Sequence, residues 1–399
     1  MNVLFLTIGK VNHVEDKALY TDLLRVFRNS GHSVYAVSAN ERRSNKETEY
    51  VEECGIHVLR VKIGNIKQCG IIEKGISTLC IEHQYLSAIK NYISDVKFDL
   101  IMYSTPPITF ANVIKYFKKR DGAKSYLLLK DIFPQNAVDI GMMSKSGVKG
   151  LIYKYFRKKE KKLYALSDRI GCMSQANVDY VLKHNPEINP EKVEVCPNSI
   201  DYIDMTITEN ERIEIRNKYG IPLDKKVFVY GGNLGKPQGI PFLIECLKEQ
   251  MDNPEVFFVI VGDGTEYKKL HSFFDELKPS NMKLMKTLPK EDYDIMVAAS
   301  DVGLIFLDHR FTIPNFPSRL LSYMQSGIPV LACTDPNTDI GRVITDGGFG
   351  WWCESNDAQG FGRIVNDALK TNVGDIRQKE IAYLKENYLV ERSYRIIVG

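Results

Sequence analysis

The chain is 399 residues long, 44% hydrophobic and 26% charged, with a formal net charge of +3. That length suggests two domains of ordinary globular composition, and so small a net charge gives no ground for reading a nucleic-acid-binding protein. Its eight cysteines include no C-x-x-C pair and no cluster with histidine, so neither a zinc site nor a disulfide framework is expected, and a reducing cytoplasm is the default compartment.

The chain starts with an apolar run at residues 3–6 that reads as a buried parallel strand rather than a signal peptide, since no basic segment precedes it. A polar loop at 9–16 leads into a helix with Leu19, Tyr20, Leu23, Leu24 and Phe27 on one face, ended by Gly31, and residues 34–37 form the next strand. This βαβ unit lacks G-x-G-x-x-G, which disfavours a dinucleotide dehydrogenase but not the fold class. Residues 41–50 and 64–75 read as surface loops. The strand at 100–103 ends in Ser104-Thr105-Pro106-Pro107, and the strand at 126–129 ends in Lys130-Asp131-Ile132-Phe133-Pro134. Ligands of open parallel sheets bind beyond the carboxyl ends of the strands, which puts Ser104, Thr105, Lys130 and Asp131 near a cleft. Asp131 suits a functional carboxylate and, equally, a structural one that pairs with Lys130 or caps the next helix.

The segment 149–166 mixes Leu151, Ile152, Tyr155, Phe156 and Leu163 with a dense positive face from Lys154 to Lys162. Such a helix fits an anionic membrane surface, where a well-placed basic residue is worth about 1 kcal/mol, and it also fits a plain solvated face. A short strand at 170–173 leads to a cap at Ser174, and the run through Pro197-Asn198-Ser199-Ile200-Asp201 closes the first domain. No apolar stretch has the length of a transmembrane helix.

The second half opens on a strand at 227–230, followed by Gly231-Gly232-Asn233-Leu234-Gly235-Lys236-Pro237-Gln238-Gly239 and an apolar-periodic helix with Ile240, Leu243, Ile244 and Leu247. Glycines after a strand let backbone approach a phosphate closely. The strand at 256–261 ends in Gly262-Asp263-Gly264, that at 282–285 in Lys286-Thr287-Leu288-Pro289, and that at 301–307 in Asp308-His309-Arg310, where His309 reads as a surface or structural group. Next comes the most informative run, residues 315–332. Pro317 suits a first helical turn, Leu320, Leu321 and Met324 share one face, Gly327 supplies a left-handed cap, and 329–332 is a short buried strand. Free N–H groups at the helix start, the Ser318 hydroxyl and the Arg319 guanidinium together make an anion site, although the same pattern suits an ordinary αβ unit. Residues 347–352 turn into an aromatic strand, and 376–398 is helical in pattern.

The run at 315–332 resembles the donor-site segment of family 4 glycosyltransferases, retaining enzymes of the GT-B fold, in the bacterial branch that builds capsule and O-antigen sugars. Arg319 fills the branch's basic position, and the family's two glutamates, eight positions apart, map onto Pro314 and Ser322. Residues 130–134 are similar to the branch's Arg-Asp-Leu-Trp-Pro, and residues 197–201 to its Pro-Asn-Gly-Val-Asp linker. The glycine-rich turn resembles the diphosphate loop, whose usual Arg and Lys map onto Asn233 and Gln238, leaving Lys236 as the loop's cation.

The resemblance implies an α/β chain of two Rossmann-like domains facing across a cleft. Residues 1–197, with a crossover helix at about 385–399, would bind acceptor, and 198–384 would bind a nucleotide sugar. It implies retaining transfer of a hexosyl or N-acetylhexosaminyl group, from a UDP-sugar in the first instance, to a lipid-linked saccharide, without cofactor or required metal. The setting would be the cytoplasm or, peripherally, the inner face of its membrane, in capsule, O-antigen or exopolysaccharide synthesis. Asp131, Arg319 and Lys236 would be catalytic. Gly232, Asn233, Leu234, Gly235, Gly262, Lys286, Thr287, Leu288, Pro317, Ser318 and Ser322 would hold the donor, with backbone near 286–288 reading the base. Ser104, Thr105 and Lys130 would line the acceptor side, with the loops at 41–50 and 64–75 shaping it. An epimerase of the same fold, or a non-catalytic assembly partner that has lost the family's glutamates and loop cations, are the alternatives.

Overall fold

The computed structural model describes residues 1–66 and 69–399. The chain divides into two compact units, Met1–Asp201 with Val390–Gly399, and Tyr202–Leu389. The first unit thus ends four residues beyond the expected 197, and its returning segment starts at 390 rather than at about 385. The stretch read as one helix over 376–398 is two, Val373–Asn387 and Val390–Val398, and only the second belongs to the first unit.

The first unit contains β1 (Asn2–Leu6), β2 (Ser33–Glu41), β3 (Glu49–Glu53), β4 (Ile56–Ile63), β5 (Leu100–Ser104), β6 (Lys124–Leu129), β7 (Arg169–Cys172) and β8 (Val193–Val195). They form one sheet in the order β3-β4-β2-β1-β5-β6-β7-β8, parallel except for β3. Both faces of β1 are fully buried, which is why it reads as an unbroken apolar run instead of an alternating one. The expected loop at 41–50 is partly structure: β2 continues to Glu41, a short 3-10 turn spans Arg42–Ser44, and β3 begins at Glu49. With the sequence Glu-Tyr-Val-Glu-Glu, β3 is a charged edge strand, the kind that discourages pairing with a further chain. The expected loop at 64–75 runs into a 22-residue helix, Ile71–Tyr92, and its residues 67 and 68 lie outside the described residues.

The second unit contains β9 (Lys226–Asn233), β10 (Val256–Asp263), β11 (Met282–Met285), β12 (Val302–Phe306), β13 (Val330–Thr334) and β14 (Gly350–Glu354). Its sheet, β11-β10-β9-β12-β13-β14, is wholly parallel. The strand order reverses between β9 and β12, the point at which an open α/β sheet leaves a crevice. In the first sheet the reversal lies between β1 and β5. Phe228, Tyr230, Phe258, Ile260, Leu304, Phe306 and Phe361 fill one face of the second sheet. Among the described residues no helix is long and apolar enough to cross a membrane.

Candidate functional site

In the second unit the site is built at the end of β9. Gly231 has no alternative, because a Cβ there would stand 2.0 Å from the Tyr293 ring. Gly232 follows with φ +121, a conformation that side-chain-bearing residues avoid. Under this turn sits the Arg319 guanidinium, 4.3 Å from the centre of the Tyr230 ring, its Nη2 3.6 Å from where a Cβ on Gly232 would be. Its Nη1 is buried with no hydrogen-bond partner, and no carboxylate pairs with it among the described residues. The groups around it are tyrosines: Tyr323 donates to the carbonyls of Leu304 (3.0 Å) and Val229 (3.2 Å), Tyr230 donates to the Asn233 carbonyl (3.0 Å), and the Tyr293 hydroxyl is buried without a partner. Burial pushes all three phenols up, so they stay neutral and give the guanidinium no counter-charge. An unpaired buried cation is costly unless an anion arrives to match it.

The helix bearing Arg319 runs Arg319–Ser326 with Ser318 as N-cap. Pro317 is therefore not in the first helical turn as expected. It precedes the helix, and the bonds from Leu320 N to Pro317 O (3.3 Å) and Leu321 N to Ser318 O (3.0 Å) form a tighter leading turn. The Ser318 hydroxyl makes no cap bond and is exposed, and Ser322 is half-buried. Gly327 has φ +63 and ends the helix as expected, with its N–H and that of Ile328 closing back on Met324 and Tyr323.

In the glycine-rich loop, the two uncharged residues at the expected cationic positions bond to each other. Gln238 Oε1 accepts from Asn233 Nδ2 (3.1 Å) and from Gly235 N (3.3 Å). Leu234 is buried in the core and anchors the loop, donating to Asp263 O and accepting from Glu266 N. Lys236 is exposed at the start of the turn Lys236–Gln238. Gly262 on β10 faces Gly232 across the ladder, where a Cβ would meet the Gly232 carbonyl at 2.0 Å. Lys286 is engaged locally, 3.5 Å from Asp263 and over the Tyr267 ring at 3.3 Å, while Thr287 is exposed and Leu288 half-buried in the loop after β11. After β12, Arg310 is neutralised by a two-point pair with Asp308 (2.7 and 2.8 Å), and His309 is exposed.

In the first unit Thr105 is the hub. Its Oγ1 accepts from the backbone N–H groups of Lys130 (3.1 Å) and Asp131 (3.2 Å) and donates to the Asp131 carbonyl (3.1 Å). Ser104 donates to Thr7 (3.3 Å) across the reversal between β1 and β5. The Lys130 ammonium donates to the Cys196 carbonyl (3.3 Å), and burial lowers its pKa. Asp131 therefore does not pair with Lys130, nor does it cap the helix Gln135–Asp139, whose N-cap is Pro134. Its Oδ1 accepts from Asn136 Nδ2 at 2.6 Å, and burial pushes the carboxyl up to about 6. Sequence reasoning missed the tyrosines around Arg319. Tyr230 and Tyr323 flank motifs that it used, but nothing local marks Tyr293.

Residues 211–387 match the family model described as Glycosyl transferases group 1. Over 298 residues the chain is 25% identical to a Pseudomonas aeruginosa protein named as a glycosyltransferase, WbjE, covering 73% of this chain and 71% of that protein. Over 249 residues it is 22% identical to an Escherichia coli (strain K12) protein named for colanic acid biosynthesis, the glycosyl transferase WcaI, covering 61% and 60%. Among solved structures, sucrose-phosphate synthase of Thermosynechococcus elongatus superposes with a TM-score of 0.76 at 12% identity, over 99% of this chain and 96% of that one. Anabaena HepE in complex with UDP and glucose superposes with 0.72 at 16% identity, over 100% and 98%.

Proposed function

We propose that the protein is a glycosyltransferase that moves a hexosyl or N-acetylhexosaminyl group, with retention, from a UDP-sugar to a lipid-linked saccharide during synthesis of a surface polysaccharide; the glycosyl transferases group 1 match over residues 211–387 and the GT-B fold support this reading. The name of WcaI supports the polysaccharide setting, and the UDP complex of HepE supports the donor class. One observation carries the reading: a half-buried guanidinium whose Nη1 is buried and has no partner among the described residues, directly under a glycine turn at the strand-order reversal. The reaction builds negative charge on the departing diphosphate. Arg319 meets that charge with a planar fork able to hold two phosphate oxygens, the helix start adds aligned N–H groups, and Lys236 adds a second cation from the loop. In the first unit, Asp131 is a carboxyl with its pKa near neutrality, suited to accept the acceptor hydroxyl's proton.

The test is a thermal-shift comparison of UDP, UMP and uridine, followed by product analysis with UDP-sugars and a lipid-linked acceptor. UDP at about a hundred times its Kd should add roughly 2.7 kcal/mol of stability, and uridine much less. If no nucleoside diphosphate raises the midpoint, the donor reading fails. An altered donor sugar with unchanged acceptor would mark an epimerase.

A further inference from the structure

The helix Gly147–Leu166 turns one face inward, where Gly150, Glu160, Leu163 and Tyr164 are buried. Its outer face at the N-terminal half is apolar and uncovered. Val148 is 77% and Leu151 66% exposed, with Ile152, Tyr155 and, from the preceding loop, Met142 also open to solvent. Single exposed apolar side chains mean little, but Val148, Leu151, Ile152 and Tyr155, spaced to share one helical face, mark an interaction site. From 142 to 159 the sequence holds five lysines and one arginine and no carboxylate. Lys149, Lys154 and Lys158 are exposed and enter no ion pair among the described residues. By contrast, Lys161 pairs with Glu187 at 2.9 Å and Lys162 donates to Asn112 at 2.8 Å. Of the positive face that the sequence suggested from Lys154 to Lys162, the available charge is therefore at the start, on Lys154 and Lys158, and it extends back to Lys149 beside the apolar patch.

The helix Ile71–Tyr92 repeats the feature with Ile76 and Leu79 exposed. It packs on the helix Ala111–Asp121, which packs on Gly147–Leu166, so the three form one layer. Each returns from the end of one parallel strand to the start of another, so both exposed N-terminal halves lie toward the carboxyl end of the sheet, the end that carries Thr105, Lys130 and Asp131.

We propose that this face, centred on Val148, Leu151, Ile152 and Tyr155 and ringed by Lys149, Lys154 and Lys158, docks on an anionic lipid bilayer. Apolar side chains set in a ring of lysines match a surface that is apolar below and negatively charged above. A second copy is a poor occupant, because two-fold pairing would set the same lysines against one another. Docking is separate from donor chemistry and is measured with neither donor nor acceptor, so its failure would leave the reading of Arg319 standing.

The test is sedimentation of the full chain with vesicles of phosphatidylcholine, alone or mixed with phosphatidylglycerol. Binding should be at least about tenfold stronger to the anionic vesicles at low salt and should weaken as salt is raised. Lys154→Glu with Lys158→Glu should remove the preference for anionic lipid. Leu151→Ser with Ile152→Ser should remove binding to both, with the wild-type melting midpoint retained. Ile152→Trp, which keeps an apolar group, should blue-shift in fluorescence on anionic vesicles and serves if the serine variant misfolds. Equal binding to both vesicles, variants that bind like wild type, or no blue shift would overturn the proposal. So would a dimer in sedimentation velocity that the serine variant abolishes.

Discussion

Replacing Arg319 by alanine removes the charge beneath the glycine turn. At about 4 Å and the effective dielectric near 20 found at protein sites, a unit charge on a unit charge is worth roughly 4 kcal/mol. Loss of one principal donor to a developing anion costs about 3 kcal/mol, which is roughly 150-fold in rate. Arg319→Ala should therefore lower kcat/KM for sugar transfer by about two decades, and Arg319→Lys should recover only part, since an ammonium lacks the two-point fork. Uridine affinity should hardly change, because the lost contact is to phosphate. The apo protein supplies a second, opposite sign. The Nη1 of Arg319 is buried with no partner among the described residues, and the guanidinium lies against the Tyr230 ring with no carboxylate to balance it there. Arg319→Met, similar in length and apolar, should therefore raise the apo melting midpoint while abolishing the UDP-induced shift. Initial-rate assays with calorimetric UDP titration read the first effect, and differential scanning calorimetry the second. Wild-type transfer rates in Arg319→Ala would refute the assignment of the leaving-group charge to this residue.

Three other outcomes follow from the geometry. Asp131→Asn should lower kcat with little change in UDP affinity. Because the wild-type carboxyl is raised to about 6 by burial, it binds its proton more readily folded than unfolded and so lowers stability as pH rises through that range. The variant should therefore melt higher than wild type at pH 7–8, with the gap closing below about pH 4, and wild-type kcat should fall as pH drops through about 6. Gln238→Ala breaks the bonds to Asn233 and Gly235, each worth about 1 kcal/mol, and should raise donor KM several-fold at nearly constant kcat in steady-state assays. Asp301→Ala strands Arg216, which is 2% exposed and bonded to that carboxylate at 2.7 Å, and should cost about 3–5 kcal/mol in urea unfolding.

Local chemistry made part of this molecule legible. The apolar runs of β1, β9 and β10 announced buried parallel strands, and Gly327 announced its helix end, because each depends on near neighbours in sequence. The edge strand β3 was hidden, since its outward charges look like a loop, and the start of the helix Ile71–Tyr92 was hidden by the absence of a clear period. Pro317 suggested a helix one step too early because a 3-10-like leading turn also accepts proline. At the site, the residues Arg319, Asn233 and Gln238 could be named, but not what they touch. The tyrosine ring against which Arg319 lies, Tyr230, comes from 89 residues earlier in the chain, and the partner of Lys130 is Cys196 rather than its neighbour Asp131. Such pairings are decided by strand order, which no local pattern encodes.

The helix Val390–Val398 completes the core of a unit whose other residues end at Asp201. Val390 and Ile397 are buried there, Tyr394 packs edge-on against Phe27 at 4.8 Å and bonds His32 at 2.9 Å, and Val390 N closes on Ile200 O. During translation, then, the half made first cannot finish its core until the half made second has left the ribosome, while Tyr202–Leu389, continuous in sequence, waits for nothing downstream. The usual N-terminal-first order of domain folding is reversed in its last step, and a chain cut short just before Val390 has a second unit that is whole and a first that is open along the helix Leu19–Asn29.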